Sequence, residues 1–509
     1  MRPAAPQARP LTGLASLLGI RLDSFSHNDL GFTTGLTLDS RAVRPGDLYV
    51  ALPGARAHGA SFCADAVAAG AVAVLTDPDG RGVCARSGVP VFVVTDPRAM
   101  LGEVACWVYG DASSRFALIG VTGTSGKTTT SFLLDAGLRA AGHMTGLIGG
   151  VETRIGSHTV GSALTTPEAP DLQALFAAMA ERGVTAAAME VSSHALSLGR
   201  VAGSHFDVAV FTNLSQDHLD FHPDMESYFR AKARLFEPPV IGVVNIDDRY
   251  GRRLASSARV PVTTFSAAGR DDADWRALDV RSGADGSAFR IVGPGRVEAD
   301  GSIGLAGVFN VANALGAVVA LVEAGVRLED AVAGIAECPG VPGRLERVPS
   351  PGLDFTAFVD YSHKPGAVEA VLRSLRPVTA GRLMIVLGCG GDRDRGKRPM
   401  MGAAAASLAD VAVLTSDNPR SEDPLLILDA MLDGVLSVPA QERARVVVEP
   451  DRAAAISYAV SLAGHGDVIV VAGKGHETGQ YVGGTVLPFD DRDVTRAAIE
   501  RLTHTAVHA

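Results

Sequence analysis

Short apolar runs recur along the chain, each bounded by Gly, Pro or polar clusters and most followed by a stretch of helical spacing. In residues 1–112 the runs Leu48 to Leu52, Ala71 to Leu75 and Val91 to Val94 are separated by Gly/Pro turns, which predicts a small α/β domain. In residues 113–342 the runs FALIGV, AAAMEV, DVAVFTN and IGVVNI alternate with helical stretches, the pattern of a parallel α/β sheet. Between Ser266 and Ile303 the chain turns rich in Gly, Asp and Arg, and a β-rich excursion or a loop is expected there. In residues 343–509 the runs RLMIVLG, VAVLTSD, ARVVVEPD and DVIVVAG predict an open, doubly wound, Rossmann-like sheet. The expected fold class is therefore α/β in three domains: a small N-terminal unit, a central P-loop-like sheet and a C-terminal doubly wound sheet.

Composition agrees with that division. A chain of 509 residues exceeds one ordinary core, and 47% hydrophobic against 20% charged residues suits packed domains. The net charge of -10 argues against nonspecific binding to nucleic acid or an anionic membrane, both of which reward a basic surface. No run approaches the roughly 18 apolar residues of a membrane span, and the first residues lack a clear cleavage site. A cytoplasmic monomer is expected. The five scattered cysteines carry no metal-ligand spacing and are expected as reduced, mostly buried thiols.

The basic residues are unevenly chosen. Only Lys127, Lys232, Lys364, Lys397 and Lys474 are lysines, against 41 arginines. Where arginine is the rule, a retained lysine points to work that needs a compact ammonium or a free amine.

The strongest local motif is Gly123-Thr124-Ser125-Gly126-Lys127-Thr128-Thr129, between a strand and a helical stretch. Backbone N–H groups of such a loop cradle phosphates, Lys127 neutralises them, and the Thr128 hydroxyl suits Mg²⁺. Val121 stands where the common P-loop has its first Gly, which counts against an ordinary GTPase or kinase. Glu190, in MEVSSH, and His218, in TNLSQDHLD, each follow an apolar strand. Both should open at the same sheet edge as the phosphate loop, as plausible ligands of phosphate-bridging metal ions.

GTSGKTT, EVSSHAL, TNLSQDHLDFH, YFRAKARLF, FNVANALGA, PGRLE and DYSHKP occur in the order seen in the Mur ligase family, and the resemblance covers nearly the whole chain. It implies a UDP-sugar domain (1–112), an ATPase domain (113–342) and an amino-acid domain (343–509), with ATP and Mg²⁺ as cofactors. Lys232 would carry a carbamate from CO₂ that helps hold a second Mg²⁺, beside Lys127, Glu190 and His218. Asn310, Arg344, Asp360 and His363 would contact nucleotide or close the C-terminal domain over it.

Within the family, two further loops resemble the members that add meso-diaminopimelate to UDP-N-acetylmuramoyl-L-alanyl-D-glutamate. They are GCGGDRD, with Arg393, and Asp417-Asn418-Pro419-Arg420. An Arg fork reads the distal carboxylate that distinguishes diaminopimelate from lysine. Gly473 and Glu477 would receive the distal ammonium. By the same resemblance Leu38, Ser40 and Ala55-Arg56-Ala57 would meet the uridine diphosphate. Thr165, Thr166, Ser192 and Arg200 would meet the muramoyl dipeptide. Leu198 stands where well-known members have Gln, so that hydrogen bond must be absent or replaced. A lysine-adding relative, a folate polyglutamate ligase and an inactive sensor of UDP-muramoyl peptides are the rival readings. The Arg420 loop opposes the first, the N-terminal domain the second, and the intact Lys127, Glu190 and Lys232 the third.

Overall fold

The structure is a computed structural model that describes residues 1–20, 30–54, 56–161 and 164–507. Three main sheets succeed one another along the chain. The first is parallel, with strands Gly35–Thr37, Asp47–Ala51, Ala73–Thr76 and Val91–Val93 in sequence order. Leu48 and Val50 enter one core while Tyr49 and Ala51 enter another, so each strand feeds both faces of the sheet.

The central sheet has eleven strands. Its parallel heart places Ala117–Thr122 between Ala186–Glu190 and Val208–Phe211. Ile119, Val121, Ala186, Ala188, Val208 and Val210 pack on one side with helices Lys127–Ala140 and Val308–Glu323. Leu118, Ala187, Met189, Ala209 and Phe211 pack on the other with helices Ala169–Glu181 and Met225–Ala233. The alternation of side-chain direction along each strand thus serves two cores at once. The excursion after Ser266 is β-rich: Trp275–Gly283, Gly286–Val292 and Glu298–Ile303 form an antiparallel extension of the sheet.

The C-terminal sheet orders its strands Glu346–Val348, Thr356–Asp360, Val468–Ala472, Leu383–Leu387, Val411–Leu414 and Arg445–Val448. All neighbours pair in parallel except the first two. Helices cover both faces, which gives the doubly wound arrangement. Among the described residues no helix is long and apolar enough to cross a membrane.

Three features depart from the sequence reading or escape it. Cys63 and Cys84 are joined as a disulfide, so the expectation of uniformly reduced thiols is corrected for this pair. Helices Cys63–Ala68 and Arg81–Cys84 bring their Cα atoms to 5.7 Å, a proximity invisible in the spacing of 21 residues. Cys106, Cys338 and Cys389 are free. Hairpins at 153–160 and 479–488 also went unread, because their strands are only three or four residues long.

The C-terminal unit contains a fully buried ion pair. Arg452 donates Nε and Nη2 to the two carboxylate oxygens of Asp491, both at 2.7 Å, and neither side chain reaches solvent. Removing one partner strands the other charge. Asp491→Ala should therefore cost about 3–5 kcal/mol, read as a lower urea midpoint for the C-terminal sheet. A loss below about 1 kcal/mol would mean that Arg452 is satisfied by its carbonyl partners alone.

Candidate active site

Parallel register builds the site. Val121 pairs with Glu190 and Thr122 with Phe211, so the loops after all three strands leave from one edge of the sheet. The glycine loop follows Thr122 and ends on Gly126, whose left-handed φ of 88° turns the chain into the helix Lys127–Ala140. Its N-terminal N–H groups and dipole make that turn an anion seat. The neighbouring TNLS stretch holds the loop: Thr124 N–H donates to the Asn213 carbonyl (2.9 Å) and Ser125 N–H to Asn213 Oδ1 (3.0 Å). Thr212 Oγ1 donates to the Ser125 carbonyl at 2.6 Å.

Lys127 Nζ donates to the carbonyls of Gly123 (2.9 Å) and Thr124 (3.1 Å). Lys232 is 1% exposed, lies over the Tyr228 ring, and donates to the same Gly123 carbonyl at 2.7 Å. Two amines on one oxygen cannot both be comfortable as ammonium. Burial first, then the charge of Lys364, lowers Lys127 to about 8. Burial, then Lys127 and Lys364, pushes Lys232 well below the usual lysine range. Thr128 Oγ1 donates to Glu190 Oε2 (3.1 Å), and Glu190 Oε1 accepts from Gly150 N–H (2.9 Å). Glu190, 2% exposed, thus faces the phosphate loop directly.

His218 takes a positive φ of 54° and pairs through Nε2 with Asp217 at 2.9 Å. Burial would raise the Asp217 carboxyl, but its bond to His218 and the Lys364 charge pull it well below the usual range. Lys364 reaches Asp217 from the C-terminal region, and Arg344 donates to Thr128 Oγ1 at 3.1 Å, its guanidinium over the Tyr361 ring. The C-terminal region therefore bears on this edge of the sheet at two points, Thr128 of the phosphate loop and Asp217 of the neighbouring one. Asp360 serves that contact indirectly. Its carboxylate accepts from Leu345 N–H (2.7 Å) and Ser362 N–H (2.8 Å), fixing the turn that carries Arg344. His363 is half-buried, hydrogen-bonded through Nδ1 to the Tyr361 carbonyl (2.7 Å), and held neutral, at about 3, by desolvation first and then by the charge of Lys364. Asn310 points to the Ala306 carbonyl (2.8 Å) and to Asn313 (3.0 Å). Asn313 Oδ1 is the group nearest Gly126, only 2.3 Å from where a Cβ would sit.

Around the end of Ala186–Glu190, Thr166 Oγ1 donates to the Glu190 carbonyl (2.8 Å) and accepts from Ser192 N–H (3.1 Å). Arg200 donates to the Thr166 carbonyl (3.3 Å) and pairs with Glu168 (2.8 Å). Thr165, Thr166, Ser192 and Arg200 thus gather beside Glu190. Leu198 closes the short helix Ser193–Ser197 through its backbone. In the N-terminal unit Leu38 is half-buried before a turn that begins at Ser40, while Arg56 and Ala57 are exposed; Ala55 lies outside the described residues.

The C-terminal loops form a separate cluster. Glu477 Oε2 accepts from Asn418 Nδ2 (2.8 Å) and Lys474 Nζ (3.2 Å), and Tyr361 OH donates to Oε1 (3.3 Å). Asp417 is buried, which raises its carboxyl despite nearby Arg452 and Lys474. Arg420, at φ 54°, rests on the Gly391 carbonyl (2.7 Å); among the described residues no carboxylate pairs with it. Gly473 takes φ 117°, where a Cβ would meet Asp417 Oδ2 at 2.4 Å. Arg393 is exposed and donates to the Asp392 carbonyl (3.0 Å). The sequence reading missed Thr212, Asn213, Asn313, Asp217, Tyr361 and Lys364 as partners of these groups. Of these, Lys364 carried a signal, its rarity.

A phosphate seat beside a carboxylate-and-lysine cluster, with a separate polar cluster on the C-terminal loops, is a layout that suits an ATP-dependent ligase. Comparison with known families matches residues 33–109 to the Mur ligase family catalytic domain, 121–321 to the Mur ligase middle domain, and 343–475 to the Mur ligase, glutamate ligase domain. The chain is 59% identical over 502 residues to a UDP-N-acetylmuramoyl-L-alanyl-D-glutamate–2,6-diaminopimelate ligase of Streptomyces avermitilis, covering 98% of both chains. The Streptomyces coelicolor protein of that name is 58% identical over the same share. A solved structure of a ligase with that name superposes at TM-score 0.69 with 32% identity, covering 98% of this chain and 100% of that one. The chain belongs to the Mur ligase family, and it is an ATP-dependent, amide-bond-forming ligase.

The crowding at Gly126 yields a test. A methyl there meets Asn313, and a left-handed alanine adds about 1–2 kcal/mol of backbone strain. Gly126→Ala should raise the KM for ATP at least about tenfold, and Asn313→Ala should recover only part of the loss. An ATP KM within twofold of wild type would show that the loop tolerates the side chain.

Proposed function

We propose that this ligase adds meso-diaminopimelate to UDP-N-acetylmuramoyl-L-alanyl-D-glutamate in peptidoglycan precursor synthesis. The observation that carries the reading is the Arg420 guanidinium, which among the described residues forms no ion pair and rests on the Gly391 and Asn418 carbonyls, while Asn418 in turn donates to Glu477: a carboxylate reader joined to an ammonium reader. The relatives' names agree with it. Residues 1–112 would bind the nucleotide sugar, 113–342 ATP, and 343–509 the amino acid.

A free carboxylate resists an amine because its leaving group would be oxide. ATP removes the obstacle: the D-glutamate carboxylate attacks the γ-phosphorus and releases ADP, and the amine then displaces phosphate from the acyl phosphate. The protein's task is placement and charge neutralisation. In this reading Lys127 and the helix N-terminus hold the phosphates, and Arg344 and Lys364 bring C-terminal charge to the same place. Arg200, Thr166 and Ser192 orient the dipeptide.

The donor set suits Mg²⁺. Thr128 Oγ1 and Glu190 Oε2 are hard oxygens 3.1 Å apart, with His218 on the adjacent loop. Among the described residues no group of three His, Cys, Asp or Glu side chains is arranged to hold a metal ion by itself. A Mg²⁺ site that draws most of its ligands from phosphate and water needs no such cage. When bound, Mg²⁺ would neutralise the developing phosphoryl charge. A carbamate on Lys232 would add a carboxylate there. Only a neutral amine reacts with CO₂, and the environment of Lys232 disfavours its ammonium.

Phosphate release should require the UDP-dipeptide and meso-diaminopimelate together, with one new amide per phosphate. Equal rates with lysine would overturn the reading. Arg420→Ala should lower kcat/KM for diaminopimelate about 30-fold or more, as for truncation of a desolvated charge pair worth about 2–5 kcal/mol. Arg420→Lys should be poor as well, since an ammonium lacks the parallel fork. If diaminopimelate kinetics hold while ATP binding falls, Arg420 serves the nucleotide.

Lys232→Ala and Lys232→Arg should each lose about 100-fold or more in kcat, although arginine keeps the charge. A short added carboxylate should partly restore the alanine variant. Full activity in Lys232→Arg would reduce Lys232 to an ordinary cation.

A further inference from the structure

We infer that Lys474 is the positioning residue of the amino-acid pocket, acting through Asn418 and Glu477; the inference rests on the reading of that pocket given above. Lys474 is fully buried. Its ammonium has three N–H bonds and meets three acceptors: Asn418 Oδ1 at 2.9 Å, Glu477 Oε2 at 3.2 Å and the Gly479 carbonyl at 2.6 Å. Donor number and acceptor number match, which a five-donor guanidinium in the same hole could not achieve. The lysine is retained here in a chain that otherwise prefers arginine.

The acceptors lie on two loops: Glu477 and Gly479 follow Lys474 on its own loop after Val468–Ala472, and Asn418 comes from the loop after Val411–Leu414, 56 residues away. One buried charge therefore ties them into a single geometry. The consequence for Glu477 is specific. Its Oε2 is occupied by Lys474 and Asn418, which leaves Oε1, hydrogen-bonded among the described residues to the Tyr361 hydroxyl alone (3.3 Å), as the edge available to a ligand cation. Asn418 Oδ1 is likewise consumed by Lys474 and by Tyr481 N–H (3.1 Å). Tyr481 also accepts Arg420 N–H through its carbonyl (2.8 Å). The chain Lys474–Asn418–Tyr481–Arg420 thus links the ammonium reader to the carboxylate reader. Lys474 sets the distance between them without touching the amino acid.

The test is steady-state kinetics on Lys474→Met, Glu477→Gln and their double variant, with diaminopimelate varied at saturating ATP and UDP-dipeptide. Lys474→Met should raise the diaminopimelate KM tenfold or more and leave the KM values for ATP and UDP-dipeptide within twofold. The double variant should be hardly worse than Glu477→Gln alone, because both changes disable one unit. A diaminopimelate KM that is unchanged or lower in folded Lys474→Met overturns the inference, as do fully additive effects or equal losses for all three substrates. Lys474→Gln, which keeps two N–H donors in the hole, carries the comparison if the methionine variant does not fold. Should the wild-type enzyme prefer another amine, the functional reading fails, and the same kinetics with that amine still decide the role of Lys474.

Discussion

The chemistry of this molecule depends on the parallel pairing of Ala117–Thr122 with a strand on each side. Parallel neighbours end at the same edge, so one register brings the glycine loop, Glu190 and the Asn213–His218 stretch into a common crevice. Nothing in those segments would be adjacent otherwise, since 62 residues separate Thr128 from Glu190 and 88 separate Ser125 from Asn213. The small side chains of Ala186 to Ala188 let helices approach both faces, and close packing turns the edge into a rigid frame.

Charge is concentrated on that frame at some cost. Lys127 and Lys232 converge on one carbonyl, and Lys364 enters from the C-terminal region. Such a group is tolerable because Asp217 and Glu190 stand within it and because burial favours neutral amines over stranded ammonium ions. Anionic phosphates are the natural complement of this arrangement. The same economy governs the C-terminal cluster, where Arg452 is matched by Asp491 and Lys474 by Glu477.

Much of this was legible in the chain itself. The strands around the glycine loop were readable because each is a continuous apolar run, and Gly123 to Thr129 because backbone phosphate binding demands those residue types. The disulfide was not legible, since pairing depends on where two short helices meet. The hairpin at 479–488 escaped because its exposed strands carry no apolar periodicity strong enough to mark them. Asp360 was expected to contact nucleotide or to serve closure of the C-terminal domain, and its oxygens accept from the backbone N–H groups of Leu345 and Ser362. A motif identifies which residue is kept, and only geometry tells whether it faces the substrate or its neighbours. The lysine bias reached further than any single motif, because it marked Lys364 and Lys474 without reference to their surroundings.

Gly343 marks the passage from the central sheet to the C-terminal one, at φ 67°. A Cβ there would lie 2.2 Å from His476 N, and one on Gly475 would lie 2.8 Å from the Gly343 carbonyl. The two glycines are mated surfaces, each closed to a side chain by the other's backbone. Their separation works as a gauge block between the start of the C-terminal unit and the loop after Val468–Ala472, and its thickness is that of bare main chain. Drift at either position would change the gauge, so the spacing of these two loops is written into two residues that have no side chain to alter.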